Sequence, residues 1–184
     1  MRTSEIDMLI LPGASGTGPD HWQSRWARHF KTARWIEPAR GDTLRQGWVE
    51  QIVAAVMAPG ERPAVIVAHG LAVAAVAHAA PRLAGTRLAG AFLVAPVDVD
   101  AGASSRTADG GLAPLPAGPL PFPSKMIGSS TDPACTTERC QEIGRAWGAD
   151  VSSIANGGHI DVASGHGAWP EGLLTFGLFL RNLG

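Results

Sequence analysis

Ala64-Val65-Ile66-Val67-Ala68-His69-Gly70-Leu71-Ala72-Val73-Ala74-Ala75 is the stretch on which the reading of this chain turns. Its first part, Ala64–Ala68, is short, continuous and β-branched, the character of a strand buried on both faces of a parallel sheet. Its second part opens an alanine-rich run, Leu71–Ala80, that strongly favours helix. His69-Gly70 carries the chain straight from one to the other through a sharp turn. A turn of that kind sets Gly70 at the carboxyl end of a strand, where open α/β sheets bind their ligands.

Working outward, short apolar runs alternate with longer amphipathic ones, as parallel strands and crossover helices require. Upstream, Ile6–Leu11 reads as a first strand, closed by Pro12-Gly13. The glycine-rich loop Gly13–Gly18 leads to Pro19, which suits the first position of a helix. Trp22, Trp26 and Phe30 then recur at a spacing of four and mark one buried helical face. Ala33–Ile36 reads as a short strand, and Leu44–Met57 as a helix with Trp48, Ile52, Val53 and Val56 on its apolar side. Downstream, Leu88–Val94, Lys125–Ser129 and Asp150–Ile154 read as strands, with helices over Pro133–Trp147 and Pro170–Leu183. The expectation is one α/β domain over residues 1–184: a doubly wound sheet of about six parallel strands with helices on both faces. Within it Val97–Pro123 carries Pro114, Pro116, Pro119, Pro121 and Pro123 and little periodicity. Loops this long often cover a binding site, which makes the segment a candidate lid.

Composition narrows the function classes. A hydrophobic fraction of 45% with 17% charged residues describes a globular chain with a sizeable core. The formal net charge of -1 gives no electrostatic footprint for nucleic acid or anionic lipid. No apolar run approaches the roughly 18 residues that span a bilayer, and Met1–Asp7 does not read as a signal peptide. Cys135 and Cys140 fit neither a redox pair nor a zinc cluster and are expected to be reduced, structural thiols of a cytoplasmic protein. Nothing points to a metal or an organic cofactor.

Three strand ends carry the chemistry. Gly70 sits in the strand-to-helix turn; Ser129-Ser130-Thr131-Asp132-Pro133 follows a later strand; Asn156-Gly157-Gly158-His159 follows the last. Nucleophile slot, then acid, then histidine is the chain order of the α/β-hydrolase fold. A histidine takes the nucleophile's proton, and a carboxylate fixes its tautomer and stabilises the imidazolium. An oxyanion hole would come from the Leu71 N–H and a backbone N–H near Ala14 or Ser15, in the loop after the first strand. Asp161 and Asp98 are rival acids. His69 reads as a packed neighbour of the turn, and His21 and Trp22 either line a substrate pocket or anchor the first helix. Ser15 is also a candidate displaced nucleophile, although loop serines ordinarily form turns.

The chain resembles the small serine hydrolases of the YdeN and retinoblastoma-binding protein 9 family over nearly its whole length. The resemblance rests on Leu11-Pro12-Gly13, Gly18-Pro19-Asp20-His21-Trp22-Gln23, Val67-Ala68-His69, Ala95-Pro96 and Thr131-Asp132-Pro133. It continues through Ala146-Trp147-Gly148-Ala149, Gly157-Gly158-His159-Ile160, Ser164-Gly165 and Trp169-Pro170-Glu171-Gly172. It implies an α/β-hydrolase fold, esterase-like activity on small acyl substrates, and Asp132 and His159 as acid and base. The chain departs from the family where Gly70 stands for the serine, Ala72 for the following glycine and Asp161 for an asparagine. Gly70 removes the atom that would attack a carbonyl, a loss on the order of a million-fold in a serine protease. Three readings follow: a serine hydrolase whose nucleophile was changed, naturally or by design; a non-catalytic binder of a small ligand or protein; or an enzyme using His159 and Asp132 as a general base.

Overall fold

The computed structural model describes residues 1–13, 17–36, 44–101 and 111–183. In chain order the elements are β1 (Asp7–Leu11), α1 (Trp22–His29), β2 (Ala33–Trp35), α2 (Leu44–Met57), β3 (Ala64–His69), α3 (Ala72–Leu83), β4 (Leu88–Val94), β5 (Ser124–Ser129), α4 (Thr137–Trp147), β6 (Asp150–Ile154) and α5 (Pro170–Asn182). The sheet has 6 strands in the order β2-β1-β3-β4-β5-β6, and every neighbouring pair is parallel.

Side-chain alternation along the strands divides the core into two layers. Leu9, Leu11, Ile66, Ala68, Leu93 and Met126 pack with α2, α3 and α4, through Trp48, Ile52, Val56, Cys140, Ile143 and Trp147. Met8, Ile10, Val65, Val67, Phe92, Val94 and Ile127 pack with α1 and α5, through Trp22, Trp26, Phe176 and Leu180. Both faces of the sheet are therefore covered at its centre, which is why β3 and β4 are nearly continuous apolar runs, whereas the edge strands β2 and β6 carry polar and exposed residues. Among the described residues no helix is long and apolar enough to cross a membrane.

Three helices begin or end differently from the sequence-based expectation. Helix α1 starts at Trp22 instead of Pro19, because the His21 imidazole acts as its cap and accepts from the Gln23 N–H at 3.2 Å. Helix α4 starts at Thr137 instead of Pro133, because the Thr136 hydroxyl caps it and accepts from the Arg139 N–H. Helix α3 runs past Ala80 to Leu83 with Pro81 in its last turn, where few backbone bonds remain to be lost, and Leu83 is buried.

Part of the proline-rich segment is packed against the sheet's α3 and α4 side. Leu112 and Phe122 are buried there, the Leu112 carbonyl meets His78 Nε2 at 2.7 Å, and the Trp147 indole donates to the Pro116 carbonyl at 2.8 Å. Residues 102–110, within the candidate lid, lie outside the described residues.

Candidate active site

The strand order reverses between β1 and β3, so the chain leaves their carboxyl ends toward opposite faces, at the place where open α/β sheets bind their ligands. Gly13 follows β1 and Gly70 follows β3 at this point. Gly70 has φ +60°, the left-handed region that glycine enters without cost. Its N–H donates to the Val94 carbonyl at 3.0 Å and its carbonyl accepts from Val73, which fixes the turn between β4 and α3.

The acid and the histidine come from the ends of β5 and β6. Asp132 turns back on its own loop, where Oδ1 accepts from the Ala134 N–H at 2.9 Å, so it serves that turn and does not cap α4. The two loops are stitched together: the Gly158 N–H donates to Thr131 Oγ1 and the Asn156 N–H to Ser130 Oγ. This closure brings His159 Nδ1 to 2.9 Å from Asp132 Oδ2 and 3.0 Å from Oδ1. The Asp132 side chain is 1% exposed and that of His159 28%, so the carboxylate is sealed while the imidazole keeps an open edge. The hydrogen bond to Asp132 raises the His159 pKa above its ordinary value of 6.5.

The other imidazole nitrogen faces the turn. A side chain on residue 70 would begin 3.3 Å from His159 Nε2, the nearest heavy atom among the described residues outside the turn itself, and 3.8 Å from Gly13 Cα. Of the rival acids, Asp98 is paired with Arg139 at 3.1 Å, and Asp161 is bonded to the Ser164 backbone and hydroxyl. Among the described residues only Asp132 holds His159 Nδ1.

His69 does more than fill space. Its Nε2 lies 2.9 Å from the His159 carbonyl, which can only accept, so Nε2 carries the proton. Burial keeps the ring neutral, with its pKa pushed down to about 3. His21, against its edge, is likewise held at about 4 by burial. Trp22 does not line an open pocket, as the sequence allowed: it is 0% exposed, and its indole N–H donates to the Ile160 carbonyl at 3.0 Å. It anchors α1 to the histidine loop. Ile160 itself has φ +51°, a strained conformation for a β-branched residue, held by its burial and by that bond. Gln23, singled out only as part of a motif, donates to the carbonyls of Leu11 and Val67 and ties α1 to β1 and β3. These anchors join residues far apart in sequence, and no local spacing announces them.

The Leu71 N–H, the expected oxyanion donor, follows Gly70 directly, and among the described residues nothing accepts from it. Ala14 and Ser15, the other expected donors, lie outside the described residues. Cys135 and Cys140 are buried thiols whose pKa values burial pushes up to about 12 and about 11, which keeps both protonated and unreactive.

A parallel sheet with these turns at its carboxyl edge defines an α/β hydrolase, and comparison with known proteins agrees. The pattern of the family described as serine hydrolase matches residues 8–177, and the chain belongs to that family. Among solved structures it is similar to a YdeN-like hydrolase of Pectobacterium atrosepticum, with 25% identity and a TM-score of 0.84, over 98% of this chain and 94% of that one. The ydeN gene product of B. subtilis shares the fold at 14% identity and a TM-score of 0.74, over 95% and 98% of the two chains. So does the RedJ thioesterase of the prodiginine pathway of Streptomyces coelicolor, at 15% identity and a TM-score of 0.62, over 96% and 90%. Comparison with curated proteins finds no match.

Proposed function

We propose that the chain hydrolyses small acyl compounds with His159 and Asp132 as its general base, residue 70 supplying room in place of a nucleophile. The observation that carries this is the orientation of one imidazole: Nδ1 is held by Asp132, and Nε2 lies 3.3 Å from the side-chain position of Gly70. In this reaction neutral His159 takes a proton from water above Gly70, and the water oxygen bonds to the acyl carbon. The Leu71 N–H, on the residue after Gly70, would donate to the oxyanion. Collapse expels the alcohol, which leaves with the proton from Nε2. A covalent acyl-enzyme on residue 70 is closed to this chain, since glycine has no hydroxyl. Membership of the serine hydrolase family and the thioesterase among its structural neighbours support an acyl substrate.

The test is hydrolysis of p-nitrophenyl butyrate by the unaltered chain and by His159→Ala. A general base works only when neutral, and the folded pKa of His159 is raised, so turnover should increase with pH through a midpoint above about 6.5. No p-nitrophenol burst should precede the steady state. Turnover that survives His159→Ala, or a burst of one equivalent, would remove the reading.

A further inference from the structure

The first carbon of a side chain at residue 70 would have, among the described residues, His159 Nε2 at 3.3 Å, Gly13 Cα at 3.8 Å and His159 Cε1 at 3.9 Å as its neighbours. One neighbour is thus a glycine, just past the end of β1, and the other is the edge of the base. A side chain on Gly13 would meet the β3–α3 turn instead, at ordinary contact distances of 3.6 Å from His69 Nδ1 and 3.7 Å from the His69 carbonyl. What is missing beside Nε2 is a CH2OH group, and Nε2 is the hydrogen-bond acceptor that would face it. A branched carbinol would press its second substituent on Gly13 or on the imidazole.

We propose that this space takes the hydroxyl group of a small primary alcohol, and that the chain transfers acyl groups to it directly, in a single displacement. The proposal rests on the acyl-directed reading of the site given above. The alcohol O–H donates to His159 Nε2, and its proton moves there as the oxygen bonds to the acyl carbon. The carbonyl electron pair moves onto oxygen, facing the Leu71 N–H. Collapse then breaks the bond from the acyl carbon to the leaving group, which departs with the proton from Nε2. Ester and alcohol enter, a new ester and the leaving alcohol emerge, and His159 is neutral again. No oxidant, metal or acyl-enzyme takes part.

Single displacement has a kinetic mark that a serine mechanism lacks. When a serine is acylated first, an added alcohol accelerates only deacylation and leaves kcat/KM for the ester unchanged. Here the alcohol takes part in the first chemical step, so kcat/KM itself must rise.

The experiment uses the full chain with p-nitrophenyl butyrate and methanol as probes. The expected result is a kcat/KM that rises with methanol and saturates, with methyl butyrate formed in step with the extra p-nitrophenol. Isopropanol should be at least about tenfold less effective, as exclusion of one extra carbon commonly gives. Gly70→Ala would put a methyl 3.3 Å from Nε2 and should abolish the methanol-dependent part. Alanine at φ +60° costs roughly 1–2 kcal/mol, so its fold is checked by circular dichroism. The isopropanol comparison needs no variant and decides the matter alone. A kcat/KM indifferent to methanol, or equal use of the two alcohols, overturns the transfer and leaves hydrolysis standing. Absence of any His159-dependent turnover, with or without alcohol, overturns both.

Discussion

His159 is held from several directions at once. Asp132 takes Nδ1, His69 donates to its carbonyl, Thr131 fixes the Gly158 N–H before it, and Trp22 fixes the Ile160 carbonyl after it. Of these, the His69 bond is the one that connects the base directly to the turn carrying Gly70. His69→Phe keeps a buried ring and loses the donor. It should therefore loosen the His159 loop, weaken the bond to Asp132, and shift the His159 titration down toward about 6.5, measured by NMR of its ring resonances. If the titration stays in place while only the melting temperature falls, His69 is packing and nothing more. At this scale the order of turn, acid and histidine could be read from the sequence, because each follows a short segment that reads as a strand. The partners of backbone carbonyls could not: His69 and His159 lie 90 residues apart, and only the folded loops bring them together.

The strands and helices were expected nearly as found, because burial on both faces writes an apolar run in the central strands β1, β3 and β4, and β-branched or short alternating segments mark the rest. The helix starts were not. Histidine is an unusual cap, and Asp132-Pro133 looks like a helix opening until the carboxylate is spent on its own turn and on His159. Close packing between elements was equally silent. Gly144 of α4 lies so near Val151 of β6 that a methyl group would overlap the Val151 side chain, whereas Gly177 of α5 has open space around it. Gly144→Ala should accordingly destabilise by about 1–3 kcal/mol through overpacking. Gly177→Ala should stabilise by about 0.5–1 kcal/mol, from helix propensity alone. Urea unfolding of the two variants checks the pair, and equal effects would contradict the packing of α4 on β6.

Across the whole molecule, the buried neutral histidines tie stability to pH. Burial depresses His69 to about 3 and His21 to about 4, against 6.5 for an ordinary histidine. The unfolded chain therefore binds protons that the native state refuses, and stability is lost as pH falls below about 6.5, down to about 4 for His21 and about 3 for His69. His159 works in the opposite sense: its raised pKa adds stability that is present below about 6.5 and fades as pH rises through its folded value. The slope of unfolding free energy against pH in the acid window should be smaller by about one proton in His69→Phe, and an unchanged slope would show that His69 is not held neutral.

All of these features converge on one arrangement, an intact base and acid facing a turn without a nucleophile. Gly70→Ser interrogates it directly. The new side chain would start 3.3 Å from His159 Nε2, and the left-handed turn would take it at a cost of roughly 1–2 kcal/mol. The measurement is p-nitrophenyl ester hydrolysis by this variant, with and without His159→Ala. The restored hydroxyl should raise turnover at least about a hundredfold, and His159→Ala should abolish the gain. No gain, or a gain that persists without His159, would contradict the presence of a working base at Gly70.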